Sequence, residues 1–454
     1  MKLKRDFLIG LILYVSAVAV RLLIAIPGFS EPELLMRPDS VSYLAPVYAM
    51  LDHGIYGNGE LPTALRVPLY PVLLLPGIWA DGGAPGAFSI VWNILLSSLA
   101  VPVIWTACRE FGLKEKSSLF GTLVYLLTPT PAALAPMFLS DALFGTAAAF
   151  ELLFLLRWFQ RGESRWLYAA ALTGGLGVLI RPLNLLWILP CLFAAMFAGK
   201  VGLRRRIRDS LIALGIFLAV FTPWILRNHA AGFGWRIDAV SADSLKHNAA
   251  VVASRATGTP AQFYRDSYEK HFKEVFAAKP EQFSTEDAKL TYQERYLSSI
   301  IKQYPLQYFK GFFHPVNFVP DLPSLMENLG LSTSGRGTWD VIINHGLFAG
   351  ISHYFDGQYW FPILFLPFCL LLLAAYLAGA FGFFAMIRKK NWILPLLFLP
   401  FGLYYMTVTG PVAYPRFSLP ILPYLALLSA AGIQLLTEWH IQRKARNRSQ
   451  ERID

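Results

Sequence analysis

Long apolar runs recur along the chain and restrict the folds that it can adopt. A helix needs about 20 consecutive apolar residues to cross a bilayer, and ten runs approach this length. They span residues 7–27, 87–108, 118–135, 139–158, 166–180, 183–198, 210–226, 358–387, 393–409 and 417–437. A β-barrel would show short alternating segments instead. The sequence therefore predicts an all-α polytopic membrane protein with about ten or eleven transmembrane helices.

Basic residues follow the topology that these runs imply. The chain has 40 Lys and Arg against 29 Asp and Glu, a formal net charge of +11. With ten spans, the basic clusters fall in alternate loops on one side of the membrane: residues 2–5, 109–116, 157–165, 200–208, 388–390 and 443–448. Basic loops usually face the cytoplasm, so both termini are predicted to be cytoplasmic. The positive charge thus reflects topology, and nucleic acid is not an expected partner.

The basic start of the chain is typical of a signal peptide, but no clear small-residue cleavage site follows it. We therefore expect the run at 7–27 to be a retained first span. No organellar targeting segment is visible. Together with the predicted topology, this favours a multi-pass protein of a bacterial inner membrane whose site faces the periplasm.

Two long polar segments divide the chain. Residues 1–226 form a first transmembrane module with a loop at 28–86. Residues 227–357 form a partly helical periplasmic insert, in which "STED" at 284–287 is typical of a helix start. Residues 358–437 hold the C-terminal helices, and residues 438–454 form a basic tail. All three cysteines lie inside apolar runs without a disulfide or zinc pattern, so core packing is their expected role.

Ionisable side chains cluster at the outer ends of the predicted spans. Such residues are costly at membrane depth and are candidates for function. They are Asp39 and Arg66 in the first loop, Asp141 at the start of the fourth span, Arg181 between the fifth and sixth, Arg227 and His229 after the seventh, and Arg416 at the start of the tenth. Because the topology puts all of them near one outer level, they are predicted to converge on one site.

Each of these residues also has a structural interpretation. Asp39 in "PDSVSYL" and Asp141 in "SDALFG" could cap helices or face their dipoles. A single arginine at the lip could extend to lipid headgroups, and His229 could be an interfacial residue. Several arginines beside an acid favour a bound phosphate instead, because the planar guanidinium suits phosphate oxygens.

An acid and arginines on the outer side point to a membrane-borne activated donor, since nucleotides are not available there. A sugar linked to polyprenyl phosphate is such a donor. The carboxylate would act as general base on an acceptor. The arginines, with a divalent metal (Mg²⁺ or Mn²⁺) as a candidate cofactor, would stabilise the leaving phosphate. Tyr43, Tyr56 and Tyr70 could contact the sugar and the acceptor, although tyrosines are also common in interfacial belts.

Five stretches resemble the landmarks of the GT-C membrane glycosyltransferases, in particular the branch of protein O-mannosyltransferases and aminoarabinose lipid A transferases. They are "RPDSVSYLAPVYAMLDHGIYG", "LRVPLYPVLLLPG", "SDALFG", "GVLIRPLNLL" and "YPRFSLPILPYLALL". The resemblance implies a GT-C fold and an inverting glycosyltransferase. Such an enzyme moves a sugar from a polyprenyl-phosphate donor to an acceptor lipid, glycan or protein. The donor is held among the membrane lipids by its polyprenyl tail.

The resemblance also implies roles for individual residues. Asp39 would be the catalytic or metal-linked acid, and Asp141 would be a second acid. Arg66 and Arg416 would contact the donor phosphate. The resemblance does not assign the other candidates, which follow from residue type and position: Arg181 and Arg227 for the donor phosphate, and Tyr43, Tyr56, Tyr70 and His229 for the substrates.

One departure from the family pattern concerns Asp39. Protein mannosyltransferases often carry a paired Asp-Glu in the first loop, whereas Ser40 follows the acid here. This difference argues against a protein acceptor. It also leaves one carboxylate, which is a poor dication site unless Asp141, Glu60 or His53 contributes.

Two other functions compete with glycosyl transfer. A transporter or flippase of a lipid-linked glycan would need charges at mid-membrane and broken helices in paired halves; Arg21 and Glu151 lie nearest to mid-span. A non-catalytic lipid-binding scaffold would not need Asp39.

For the transferase, we expect amphipathic helices at 39–52 and 63–78 on the outer face, capped by the insert. The site between them would open sideways to lipid.

Overall fold

A computed structural model describes residues 2–197, 200–312, 315–334 and 337–450. These residues are helical almost throughout. The helices are α1 (Lys2–Ser30), α2 (Pro38–His53), α3 (Leu69–Ala80), α4 (Ala87–Ser98), α5 (Ala100–Glu110), α6 (Glu115–Leu127), α7 (Pro129–Leu134), α8 (Asp141–Arg161), α9 (Ser164–Ile180), α10 (Ile188–Met196), α11 (Leu203–Ala230), α12 (Val240–Thr257), α13 (Ala261–Ala278), α14 (Glu286–Gln303), α15 (Pro305–Gly311), α16 (Leu322–Asn328), α17 (Thr338–His345), α18 (Leu347–Tyr354), α19 (Trp360–Arg388), α20 (Ile393–Thr407) and α21 (Leu422–Gln450).

Short elements connect these helices. 3₁₀ segments occupy Pro32–Leu35, Pro182–Trp187, Pro315–Phe318 and Pro415–Ile421. In the first loop, β1 (Gly57–Asn58) and β2 (Leu61–Pro62) form an antiparallel hairpin that pairs Gly57 with Pro62. The 3₁₀ segments at 182–187 and 415–421 each begin with a proline directly after the Arg181 or Tyr414 position. A residue before proline avoids the helical region. Pro182 and Pro415 therefore interrupt the helical structure next to Arg181 and Arg416.

Among the described residues, six helical stretches are long and apolar enough to cross a membrane. They are Lys4–Ser30, Ala87–Glu110, Asp141–Arg161, Leu203–Ala230, Trp360–Arg388 and Pro415–Ala445. Shorter apolar helices cover Leu69–Ala80, Pro182–Met196 and Ile393–Thr407, and the predicted spans at 118–135 and 166–180 coincide with α6–α7 and α9. The predicted all-helical multi-pass architecture is confirmed.

Ion pairs connect basic loops on one face of the protein. We call the face that contains Arg5, Lys114 and Arg161 the basic face. Arg5 lies 2.9 Å from Glu115, and Lys114 lies 3.4 Å from Glu438 near the end of α21. Arg161 pairs with Glu110. The basic segments at 2–5, 109–116 and 157–165, which the sequence places on one side of the membrane, are therefore neighbours in the structure. We call the opposite face, where α1 ends, the distal face.

Glycines let the helices at the centre of the bundle approach closely. A Cβ atom on Gly432 in α21 would lie 1.9 Å from the Ala378 carbonyl oxygen in α19. One on Gly121 in α6 would lie 2.4 Å from the Ala426 carbonyl oxygen. Small residues at such crossings bring backbones together and increase van der Waals contact where no hydrophobic effect drives association. These glycines set the position of α21, which carries the 3₁₀ segment 415–421 at its start.

The first loop differs in one respect from its prediction. The helix predicted at 39–52 is α2, which ends at Gly54 in the left-handed region (φ 69°). The helix predicted at 63–78 begins only at Leu69 and is apolar on most sides rather than amphipathic. The segment before α3 is not helical, because the Tyr56 hydroxyl donates to the carbonyl groups of Arg66 and Val67 at 3.0 and 3.1 Å.

The insert contains a small helical subdomain and a part that enters the bundle. Helices α12, α13 and α14 share a core, and α14 begins as predicted, with the Thr285 hydroxyl accepting a hydrogen bond from the Ala288 N–H at 3.2 Å. Further along, α16 packs on α7. The Asn328 side chain donates to the Ala133 carbonyl at 2.7 Å, and the Asp321 N–H donates to the Thr130 hydroxyl at 2.9 Å. The insert therefore does more than cap the first loop.

Candidate functional site

Asp39 lies between two arginines that come from distant parts of the chain. Its Oδ1 accepts a hydrogen bond from Arg66 Nη2 at 3.1 Å, and its Oδ2 accepts one from Arg416 Nη2 at 2.9 Å. The Asp39 side chain is 41% exposed, whereas those of Arg66 and Arg416 are 14% and 21% exposed. A reactant from the distal face can thus reach a carboxylate whose two cations are anchored in the protein.

The helix start does not use the Asp39 side chain as its cap. The N-cap of α2 is Arg37, and the Ser40 hydroxyl accepts a hydrogen bond from the Arg37 N–H at 2.9 Å. Asp39 is in the first turn, where a negative charge is favourable, but its carboxylate bonds go to guanidinium groups.

The two arginines keep Asp39 ionised. Burial alone would raise the pKa of this carboxyl, but the charges of Arg416 and Arg66 and the hydrogen bond from Arg416 outweigh burial and hold the pKa below its usual value. Without a competing anion, the carboxylate is therefore a weak base.

Arg66 is fixed on several sides. Its Nε donates to the Ser42 hydroxyl at 2.8 Å, and its guanidinium carbon lies 4.4 Å from the centre of the Tyr43 ring, a cation–π distance. The Tyr43 hydroxyl in turn lies 2.8 Å from the Ser140 hydroxyl, one residue before α8. These contacts connect α2, the segment before α3 and the start of α8, so the guanidinium is preorganised.

A second acid–arginine pair lies beside the first. Asp141, at the start of α8, is 2% exposed and pairs with Arg181, the C-cap of α9. Asp141, Arg181 and Arg416 line one small cavity together with Phe144, Leu183, Thr409, Phe417, Leu419 and Pro420. Among the described residues, the buried Arg416 Nε and Thr409 Oγ1 have no hydrogen-bond partner. Unpaired buried polar atoms are costly, and in a cavity they are available to a ligand.

The remaining predicted residues lie outside this cavity. Arg227 donates to the carbonyl groups of Tyr56 and Thr63 at 2.6 and 2.7 Å and so holds the β-hairpin. The Tyr70 ring is buried, and its hydroxyl donates to the Met137 carbonyl. His229 is exposed and stacks on Trp235, with the ring centres 4.1 Å apart. The structure thus brings together Asp39, Asp141, Arg66, Arg181, Arg416 and Tyr43.

Three residues near the site were not identified from the sequence. Arg37 Nε lies 2.7 Å from Glu327 Oε2. Asp321 is buried, and burial raises the pKa of its carboxyl although Arg416 and Arg37 act in the opposite direction. Arg37 stands two positions before Asp39 and could have been noticed for that reason. Glu327 and Asp321 lie in the insert, where no local pattern indicates that they reach the site.

The charged residues do not form a metal site. The part of the chain that the structure describes contains no group of three His, Cys, Asp or Glu side chains that could hold a metal ion. Asp39 and Asp141 each face arginines, whose positive charge opposes a dication. The residues present therefore do not fit the predicted Mg²⁺ or Mn²⁺ ion, and they fit an anion better.

A family model described as dolichyl-phosphate-mannose-protein mannosyltransferase matches residues 83–226. The matched segment contains Asp141 and Arg181 and leaves out Asp39, Arg66 and Arg416. The resemblance to the GT-C membrane glycosyltransferases is confirmed over this segment. A search of curated proteins finds no match.

Two solved structures are similar to this chain at low sequence identity. One is the archaeal oligosaccharyltransferase AglB from Archaeoglobus fulgidus in complex with an inhibitory peptide and a dolichol-phosphate, at 13% identity over 96% of this chain and 51% of that chain, with a TM-score of 0.49. The other is ArnT from Cupriavidus metallidurans bound to undecaprenyl phosphate, at 16% identity over 92% and 77%, with a TM-score of 0.41. The chain spans about half the length of the AglB structure.

Proposed function

We propose that this protein is a membrane glycosyltransferase that takes a sugar from a polyprenyl-phosphate donor at its distal face. The observation that carries the proposal is the Asp39 carboxylate held between Arg66 and Arg416, beside the cavity of Asp141 and Arg181. The family model supports the donor class, since its description names a dolichyl-phosphate sugar.

The donor phosphate would bind to the arginines that now face Asp39. Two acids and three arginines leave the cluster with a net positive charge, and Arg416 Nε and Thr409 Oγ1 still lack partners among the described residues. Guanidinium groups bind phosphate oxygens in pairs and hold them in a defined orientation. The lipid tail would stay in the bilayer beside the spans.

Phosphate binding would also activate the base. A phosphate that shares Arg66 and Arg416 with Asp39 offsets their positive charge, so they stabilise the carboxylate less and its affinity for a proton rises. The acceptor oxygen then attacks the anomeric carbon, and its proton passes to Asp39. The bond between the anomeric carbon and the phosphate oxygen breaks with its electron pair on the phosphate, which the arginines stabilise. A single displacement through an oxocarbenium-like state inverts the anomeric centre.

The orientation follows from the basic loops. They lie on the face opposite Asp39, and basic loops usually remain in the cytoplasm. The reaction would therefore take place on the periplasmic side of a bacterial inner membrane, where a lipid-linked donor replaces a nucleotide sugar.

The test uses purified protein in proteoliposomes with a panel of radiolabelled polyprenyl-phosphate sugars and a membrane extract as acceptor. Asp39→Asn is expected to reduce transfer by about 100-fold or more, the usual effect of losing a general base, and to leave donor binding intact. Asp52→Asn is the matched control, because Asp52 is an exposed acid on the same helix. An arm with EDTA reports any need for a metal.

Two results would contradict the proposal. Equal transfer by the wild type and Asp39→Asn would remove Asp39 from the reaction. No transfer from any donor, together with movement of a lipid-linked glycan across the liposome membrane, would show a flippase instead.

A further inference from the structure

A second and larger cavity lies next to the charged cluster. Its volume is about 520 Å³, and it is bounded by α11, the 3₁₀ segment Pro182–Trp187 and the insert. Pro182 and Leu185 line this cavity, whereas Leu183 lines the small cavity of Arg181 and Arg416. The same 3₁₀ segment therefore separates the two cavities. Arg181 and Arg416 line the small cavity, on one side of this segment.

One wall of the large cavity is apolar and continues the lipid-facing surface of a span. It consists of Leu185, Leu218, Phe221 and Ile225. Leu218 is 45% exposed and belongs to the membrane-length helix Leu203–Ala230, whose apolar window of 18 residues is only 28% buried inside the protein. The exposed remainder of a span faces lipid. A ligand chain could thus extend from the bilayer along α11 into the cavity.

The opposite wall carries an excess of acids. Among the described residues that line it, the acids are Asp238, Asp287 and Glu294, and the one cation is Arg236. The Arg236 Nη atoms lie 2.7 Å from an oxygen of Asp287 and 2.7 Å from an oxygen of Glu294, so this cation is already engaged. Such a wall repels a phosphate and attracts groups that donate hydrogen bonds.

Asp238 is the innermost of these acids. It is 3% exposed, and its Oδ1 accepts hydrogen bonds from the Ser241 N–H and hydroxyl at 2.7 and 2.6 Å. Both of these bonds go to Oδ1, which leaves Oδ2 to accept a hydrogen bond from a ligand. Arg66 is close enough to act electrostatically on this carboxyl, and the Ala239 N–H donates to the Ala64 carbonyl at 2.8 Å. The cavity therefore reaches the neighbourhood of Asp39 through Arg66.

We propose that this cavity binds the acceptor, a membrane-borne amphiphile without negative charge on its head. Its chain lies along Leu218 and Phe221, and its head presents hydroxyl or ammonium donors to Asp238, Asp287 and Glu294. The assignment rests on the proposed glycosyl transfer. It separates the substrates by charge, with the phosphate donor in the arginine-lined cavity and the acceptor in the acid-lined one.

The test measures acceptor binding and transfer separately. Full-length protein in nanodiscs is photolabelled with a diazirine-bearing glycosyl diacylglycerol, whose head is uncharged and rich in hydroxyls. The comparison probe is phosphatidylglycerol with the same chain. The uncharged probe is expected to label peptides around Trp235 and Asp238, and the anionic probe is expected to label them at least fivefold less. Equal labelling by both probes would overturn the charge argument.

Leu218→Trp would fill the apolar half of the cavity. It is expected to reduce labelling and to raise the apparent KM for the membrane-extract acceptor about tenfold, with unchanged donor binding. Leu211→Trp is the control, because Leu211 is exposed on the same helix and does not line the cavity. Asp238→Asn is expected to weaken labelling without lowering the yield of folded protein. Unchanged acceptor KM in both Leu218→Trp and Asp238→Asn would overturn the assignment.

The two proposals fail in different ways. If the wild type transfers sugar but the uncharged probe does not label the cavity, only the acceptor assignment is wrong. If the probe labels the cavity and Leu218→Trp removes the labelling, but no donor supports transfer, both the acceptor role and the proposed function are wrong.

Discussion

Glu151, inside the membrane helix α8, accepts a hydrogen bond from the Asn184 side chain at 3.0 Å. Asn184 belongs to the 3₁₀ segment that follows Arg181, and its N–H donates to the Arg181 carbonyl at 3.0 Å. The Tyr405 hydroxyl lies 3.2 Å from both Glu151 Oε2 and Asn184 Oδ1. The buried Glu151 thus fixes the 3₁₀ segment that directly follows Arg181. This segment also separates the two cavities.

The first prediction concerns this network. Glu151→Leu leaves one N–H of the Asn184 side chain without its buried acceptor, which costs about 1–3 kcal/mol. The Tyr405 hydroxyl keeps Asn184 Oδ1 as its acceptor. We expect a lower melting temperature in detergent and weaker donor binding, because the turn can move. Glu151→Gln keeps a carbonyl acceptor and should behave like the wild type in both measurements. Equal losses in the two variants would show that the charge, and not the hydrogen bonding, is needed.

The second prediction concerns the pH dependence of the site. The pKa of Asp39 is lower in the folded protein than in the unfolded chain. Its ionised form therefore contributes stability above the unfolded pKa, and this contribution is lost as the pH falls through the folded pKa. In the free enzyme, the acid limb of kcat/KM for the donor should lie below the ordinary aspartate pKa of about 3.9. Arg416→Ala removes one cation and should move that limb to higher pH. An unmoved limb would show that another group titrates there.

The third prediction concerns Asp321 in the insert. Burial raises the pKa of this carboxyl in the folded protein. The favourable contribution of its protonated form is complete below the unfolded pKa and is lost as the pH rises through the folded pKa. Asp321→Asn keeps an oxygen that can accept from the Ser324 N–H but carries no charge. We expect it to melt at a higher temperature than the wild type at pH 7, and at the same temperature below the ordinary aspartate pKa of about 3.9. A lower melting temperature at pH 7 would mean that Arg37 and Arg416 need the negative charge.

The fourth prediction concerns helix packing. Gly432→Ala would place a Cβ atom 1.9 Å from the Ala378 carbonyl oxygen, so α19 and α21 must separate. Overpacking of this kind costs about 1–3 kcal/mol, and the melting temperature should fall. Gly215→Ala is the control, since its Cβ would meet nothing within 4 Å and the residue lies inside α11. That change should stabilise the helix by up to about 1 kcal/mol. Similar melting of both variants would contradict the close approach.

The sequence predicted the features that depend on membrane topology. The apolar runs and the alternation of basic loops were enough to place Asp39, Arg66, Arg181 and Arg416 at one level, and the structure brings them together. The assignment of their chemical roles stays a prediction.

Features that depend on loop geometry could not be predicted. The position of Arg227 depends on the β-hairpin, because Arg227 binds the carbonyl groups of Tyr56 and Thr63, which lie directly before and after its two strands. The late start of α3 depends on the Tyr56 hydroxyl. The contact between Arg37 and Glu327 joins residues too far apart in sequence for any periodic pattern to relate them.

The bonds from α16 to α7 affect how this protein is made. The Ala133 carbonyl and the Thr130 hydroxyl at α7 find their partners in Asn328 and Asp321, and Asp39 finds Arg416 later still. A ribosome inserts α1 and α7 into the bilayer long before those partners emerge. Until then, the helices that are made first lack these partners, and the Ala133 carbonyl and the Thr130 hydroxyl are exposed to lipid or water. Maturation of the site is therefore a late event in biogenesis, and a nascent chain released before residue 416 has every early helix and no assembled centre.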